Sequence, residues 1–141
     1  MRRAAVLALS LSALAAFAAE PTPAHSADCV AALKLRAEPL AVRVRRGDAA
    51  AEAQLVPIAT ASFAFIGTVY KQGLRQPQAD EMLRNAEKGL GKLTPAELVK
   101  LQDACQAEGD QLMKQANFIE RLIVQRAVRN RIERLKPKPA A

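Results

Sequence analysis

The sequence predicts an all-α fold, and three observations support that prediction. Half of the 141 residues are hydrophobic, many of them alanine, and only 4% are aromatic. Alanine is the best helix former, and β-branched residues occur only in short runs. Apolar residues also recur three, four and seven positions apart, which is the spacing of one helix face. One domain is expected at this length.

The first 18 residues have the pattern of a secretory signal peptide. A short positive start is followed by an apolar run, and small residues around Ala18 fit a cleavage site. A membrane anchor is the alternative, but a spanning helix needs about 20 apolar residues, and Glu20 and Pro21 end this run early. We therefore expect residues 1–18 to be removed and the mature protein to be periplasmic or secreted, with no transmembrane segment after cleavage.

Two cysteines, Cys29 and Cys105, remain after the predicted cleavage. An exported protein meets an oxidising compartment, so a disulfide between them is predicted. A reactive or metal-binding thiol is the alternative, but the chain has no CxxC pair and a single histidine. By the entropy of closing a loop of about 75 residues, the bond would stabilise the fold by about 4 kcal/mol.

Both ends of the mature chain are predicted to lie outside the helical domain, which spans residues 28–135. Residues 19–27 contain two prolines and the single histidine. We predict that this segment is a disordered leader and that His25 is a solvated linker residue. Residues 136–141, which also contain two prolines, are predicted to be a frayed tail.

The first two of four predicted helices lie near residues 29–46 and 49–73. Asp28 can cap the first helix, and Pro39 predicts a kink or a division into two short helices. In the second helix Pro57 predicts a bend. This second helix is expected to be the central core helix, because it carries the densest apolar cluster of the mature chain: Phe63, Phe65, Ile66, Val69 and Tyr70.

The other two helices are predicted near residues 78–89 and 95–134. The last one begins with a capping-box pattern at Thr94. It would be about 60 Å long, whereas a compact domain of this size has a radius of gyration of about 14 Å. It must therefore bend at Gly109 or project from the body. Because the apolar stripe continues past Gly109, we predict one continuous or gently kinked helix, and the glycine would let a neighbouring helix approach closely.

The positive charge of the chain is concentrated near its end. Residues 28–120 contain 12 basic and 12 acidic side chains, whereas residues 121–138 contain seven basic side chains and one acidic one. The apolar stripe also moves around the helix after Ile123, so the terminal three turns are expected to contact something other than the body. The candidate residues for contact with a partner or surface are Arg121, Arg126, Arg129, Arg131, Arg134, Val124, Val128 and Ile132.

The sequence does not predict a catalytic site. The single histidine lies in the predicted leader, so no serine, threonine or cysteine has a folded histidine as a base. Gly89 to Lys92 superficially resembles a phosphate-binding loop, but it lacks the spacing and the preceding strand. We therefore expect a protein that is not an enzyme and that holds no metal and no cofactor.

Two functions are compatible with these features. The first is an exported interaction protein whose basic C-terminal helix contacts an acidic protein or an anionic envelope surface; a merely solvated helix end is its alternative. Nucleic acid is not an expected partner, because the protein is exported and Tyr70 is expected in the core. The second function is a periplasmic carrier of a small apolar ligand, held in a gap of the helical core around Phe63, Phe65, Ile66 and Tyr70.

Overall fold

The computed structural model describes residues 19–140. None of these residues is in a strand, so the all-α prediction is confirmed. The predicted signal peptide, residues 1–18, lies outside the described residues. Residues 19–140 form five helices rather than the four predicted: α1 (Pro23–Arg45), α2 (Ala49–Lys71), α3 (Gln78–Leu90), α4 (Pro95–Gln115) and α5 (Phe118–Leu135).

The first helix begins earlier than the sequence predicted. Thr22 has an extended backbone, its side chain accepts a hydrogen bond from the backbone N–H of His25 (3.2 Å), and Pro23 occupies the first helical position. Proline is favoured there because its missing N–H would have no partner in any case. The segment 19–27 is therefore helical from Pro23 onward and not a disordered leader throughout.

Neither internal proline divides its helix. α1 continues through Pro39 and α2 continues through Pro57, so the predicted division of the first helix into two does not occur. The carbonyl of Pro57 also accepts a hydrogen bond from the side-chain amide of Gln106 in α4 (3.1 Å). Gly47 and Gly73 follow the ends of α1 and α2 with φ of 84° and 89°, a conformation that glycine adopts without steric cost.

The predicted long helix near residues 95–134 is two helices, and the break is not at Gly109. Ala116 is extended (ψ 142°), and Asn117 caps a new helix through a complete capping box with Glu120. The prediction of a continuous helix is therefore wrong. A capping box gives two orphan backbone amides side-chain partners, so a new helix can start here even though the apolar spacing is uninterrupted.

The core is arranged around α2, which packs against α1, α4 and α5, while α3 packs on α1. Cys29 of α1 and Cys105 of α4 form the predicted disulfide, with Cα atoms 5.2 Å apart, and both are fully buried. The disulfide is consistent with an oxidising, extracytoplasmic compartment. It joins the start of α1 to the middle of α4, next to the buried ring of Phe65.

Among residues 19–140, α2 is the one helix that is long and apolar enough to cross a bilayer, judged by length and composition alone. Its most apolar stretch of 18 residues has a mean hydropathy of 1.4. The core helix of a globular domain passes the same test, but such a helix is mostly buried, whereas 33% of this stretch is buried, with α1, α4 and α5 packed against α2.

Gly109 lies where α4 approaches α2 closely, and the sequence predicted such a close approach of a neighbouring helix. A Cβ atom at this position would lie 2.5 Å from the Cβ of Ala61 and 2.8 Å from its Cα. Atoms cannot be that close, and the obstacle is a rigid helix backbone rather than a flexible side chain. The small residues at both positions therefore set the distance between the two helices.

Gly109→Ala is expected to lower the free energy of unfolding by about 1–3 kcal/mol, the usual effect of overpacking. Urea denaturation followed by circular dichroism measures the change. Gly89→Ala is the matched control, because a Cβ there meets no atom within 4 Å; it should be neutral or stabilising by up to about 1 kcal/mol. Equal stability of the two variants would show that α2 and α4 are not held this closely.

Candidate functional site

The inner face of α5 is covered by the protein's own core. Val124, Val128, Ile132 and Leu135 are buried and pack against Val44 of α1 and two residues of α2, Ala51 and Leu55. The predicted partner contact of Val124, Val128 and Ile132 therefore does not hold. The apolar stripe moves after Ile123 because α5 is a separate helix, which turns its own stripe toward α1 and α2.

The outer face of α5 is exposed and is divided into two parts. Its first two turns form an apolar patch, in which Phe118 and Ile119 are the most exposed at 68% and 67%. The remaining members of this patch are Leu122 and Ile123. Arg126 and Arg129 continue this face at steps of four and three residues from Leu122. Together with Arg134, five residues further on, they form a basic patch whose members are all exposed.

The arginines of α5 are exposed without ionic partners. Within residues 19–140, no salt bridge involves Arg121, Arg126, Arg129, Arg131 or Arg134. Lys136 differs from them, because its ammonium group lies 2.9 Å from carboxylate oxygens of both Glu52 and Glu133. These two partners raise the pKa of Lys136, Glu133 more than Glu52. Lys136 therefore anchors the end of α5 to the start of α2, while the arginines remain open to an external anion.

A groove of about 770 Å³ separates the second half of α2 from the end of α4 and the first half of α5. We call it the α2–α5 groove. Its apolar lining includes Phe63, Ile66, Tyr70, Leu112, Met113, Ile123, Val124 and Ala127, and Ala19 to Pro21 lie at one edge. A volume of this size lies within the range of pockets that hold small molecules, about 300–1,000 Å³.

Three of the four residues predicted to surround a gap in the core line this groove, but they do so on the surface. Ile66 and Tyr70 are exposed, and Phe65 alone is fully buried, beside the disulfide. The predicted burial of Tyr70 does not hold: its ring is covered by the guanidinium group of Arg75, 4.2 Å from the ring centre. α2 is apolar around most of its circumference, so the packing of α5 decides which side stays open.

An ion pair crosses one edge of the α2–α5 groove. The ammonium group of Lys71 lies 3.0 Å from Glu120 and 3.7 Å from Glu20. The hydrogen bond to Glu120 is the main cause that raises the pKa of Lys71. The pKa of Glu120 is lowered, first by the backbone amide of Asn117 and then by Lys71. Both shifts favour the charged forms, so this pair and the helix cap of α5 support each other.

His25 is a further residue that the sequence analysis placed wrongly. It lies in the first turns of α1, where its Nε2 is 2.7 Å from a carboxylate oxygen of Glu108 and 3.7 Å from the Sγ of Cys29. The rings of His25 and Phe65 form a T-shaped pair, with planes at 80° and ring centres 6.3 Å apart. Two signals were available: the helix start at Thr22, and the four-residue spacing that puts His25 on the same helix face as Cys29.

No protein-family model matches this chain, and no curated protein or solved structure is significantly similar to it. The features that bear on function are therefore those of the chain itself: the divided outer face of α5, the α2–α5 groove beside it, and the cluster around the disulfide.

Asn117→Ala is expected to lower the free energy of unfolding by about 1 kcal/mol, because the Asn117 side chain accepts a hydrogen bond from the N–H of Glu120 (2.9 Å). Urea denaturation measures the loss. Asn130→Ala, at an exposed position of the same helix, should change stability by less than about 0.5 kcal/mol. If both variants behave alike, the cap is not what starts α5.

Proposed function

We propose that this protein is an exported, non-enzymatic protein that docks on an anionic membrane surface through the outer face of α5. The single observation that carries the proposal is the division of this face into an exposed apolar patch and an adjoining basic patch without ionic partners. A solvated helix end would explain exposed arginines, but it would not explain exposed phenylalanine and isoleucine side chains on the same face.

A lipid surface suits this face better than an acidic protein does. Interfacial helices bury apolar side chains about 5–10 Å into the boundary between headgroups and acyl chains, and they keep basic side chains at the headgroups. α5 is about 27 Å long, and its apolar and basic patches follow one another along its axis. Its first turns can therefore tip into the membrane, while Arg126, Arg129 and Arg134 meet anionic headgroups.

The arginine contribution can be tested by sedimentation with vesicles that contain phosphatidylglycerol. Each basic side chain near an anionic surface contributes about 1 kcal/mol, so replacing Arg126, Arg129 and Arg134 with glutamine should weaken binding on the order of 100-fold. The effect should shrink as salt is added. The matched control replaces three exposed lysines of α3, α4 and the loop between them with glutamine, at positions 88, 92 and 100, and should bind like the unmodified protein.

The apolar contribution has a direct reporter, because the chain contains no tryptophan. In the same vesicle experiment, Phe118→Trp should show a blue shift of its fluorescence, whereas Val99→Trp, exposed on α4, should not. Equal weakening by the two triple variants, or equal binding to vesicles of neutral phosphatidylcholine, would contradict the proposal. Capture of an acidic protein without any vesicle binding would point to a protein partner instead.

A second candidate function is carriage of a small apolar ligand, and the α2–α5 groove favours it. The groove is lined mainly by aliphatic and aromatic side chains, and its edge carries the Lys71–Glu120 pair. A ligand with an aliphatic body and a polar end fits this distribution. The groove opens beside Ile123, which also belongs to the apolar patch of α5, so carriage and membrane docking are compatible.

Native mass spectrometry of protein purified from its host tests carriage. Gly67→Leu should fill the groove, because Gly67 lines it and a Cβ there meets no atom within 4 Å. A bound mass should appear with the unmodified protein and disappear in this variant. Gly89→Leu, remote from the groove, is the control that should retain it. The absence of any bound mass from the unmodified protein would count against carriage.

A further inference from the structure

Three side chains with metal-binding chemistry converge between α1 and α4, and a fourth, Cys105, is bonded to one of them. His25 and Cys29 are four residues apart on one face of α1, and Cys105 and Glu108 are three residues apart on one face of α4. Such spacings point both members of each pair to the same side of a helix. The ligand atoms of His25, Cys29 and Glu108 lie within 4.8 Å of one another, and Cys105 is bonded to Cys29.

We propose that reduction of the disulfide converts this cluster into a site for one Zn²⁺ ion, with Cys29, Cys105, His25 and Glu108 as the four ligands. Thiolate, imidazole and carboxylate are the groups that bind Zn²⁺ in proteins, and four of them complete its tetrahedral shell. The disulfide and the metal exclude each other, because Zn²⁺ binds negatively charged thiolates, whereas the sulfur atoms of a disulfide carry no charge.

The distances between the helices suit a tetrahedral centre. Bond lengths of about 2.3 Å to sulfur and about 2.0–2.1 Å to nitrogen place these two ligand atoms about 3.6 Å apart. The Sγ of Cys29 and the Nε2 of His25 are 3.7 Å apart. The Nε2 of His25 and the nearer oxygen of Glu108, at 2.7 Å, would separate to about 3.4 Å as the metal replaced their hydrogen bond. Rotation of the partly exposed His25 and Glu108 side chains supplies this change. The two sulfur atoms, once released from their bond by reduction, would also have to move apart to about 3.8 Å.

The surroundings would hold the site and also give access to it. Both sulfur atoms are on buried residues, and the His25 ring forms a T-shaped pair with the buried ring of Phe65. The side chains of His25 and Glu108 are 44% and 37% exposed. A metal ion can therefore enter from the His25 and Glu108 side, with the two cysteines at the bottom of the site. All four ligands are on helices, which position a site more firmly than loops do.

A dithiol is the reductant for the Cys29–Cys105 disulfide. The dithiol gives two electrons and two protons to the Cys29–Cys105 bond and becomes a disulfide itself, and two thiols result. Zn²⁺ then displaces both thiol protons, while His25 binds as the neutral imidazole and Glu108 as the carboxylate. In an oxidising compartment the two cysteines stay in the disulfide and do not bind Zn²⁺. Reduction by a dithiol makes both thiols available as ligands.

The experiment compares the oxidised protein with protein reduced by a phosphine. Zn²⁺ should bind the reduced protein at one ion per chain and should bind the oxidised protein at least 100-fold more weakly. Co²⁺ in the same site should show thiolate charge-transfer absorption. His25→Ala and Glu108→Gln should each weaken Zn²⁺ binding at least about tenfold, the smallest effect expected even from an outer-shell partner. Glu81→Gln, exposed on α3, is the matched control.

Three results would overturn the proposal. They are equal binding by the oxidised and reduced forms, equal binding by the Glu108→Gln and Glu81→Gln variants, and no binding at all. If the reduced chain loses its helices, circular dichroism is used to measure whether Zn²⁺ restores them. Recovery of helix on addition of Zn²⁺, with loss of that recovery in His25→Ala, supports the site; failure of Zn²⁺ to restore helix refutes it.

Discussion

The covalent bond between Cys29 and Cys105 fixes α1 against α4, and the close contact of Gly109 with Ala61 fixes α4 against α2. These two constraints lie one helical turn apart on α4. Together they hold α1, α2 and α4 as one unit. α3 packs against α1. Eleven of the 18 core residues in the described part of the chain are alanine, cysteine or valine, so the core depends on short distances between helix backbones rather than on large interlocking side chains.

α5 is placed on this unit by different means. Its direction is set by the corner at Ala116 and Asn117, its inner face is held by aliphatic contacts, and its end is held by Lys136. That arrangement leaves one face of the helix in solvent. The same corner opens the α2–α5 groove, because it lets α5 diverge from the second half of α2. The exposed helix face and the groove therefore have a common structural origin.

The sequence predicted those features of the candidate site that depend on composition and on the expected compartment. The charge gradient, the exposed arginines and the pairing of the two cysteines all follow from composition and compartment. The sequence did not show which side of α5 is buried and which is exposed. The spacing of apolar residues is the same whether an apolar stripe packs against the core or faces solvent. The prolines near His25 were also interpreted as breakers, although Pro23 stands at the first position of a helix, where proline is favoured.

By itself, the sequence determined that the described chain is helical, where α2, α3 and α4 begin, and which two sulfur atoms meet. These properties depend on neighbours along the chain, on caps and glycines, or on there being two cysteines. Only the tertiary structure decided that Val124, Val128 and Ile132 face inward, that Tyr70 faces a groove, and that Glu108 lies beside His25. Those outcomes depend on how helices distant in sequence pack against each other. The helix break at Asn117 alone changes the direction of α5 and therefore which of its residues face the core.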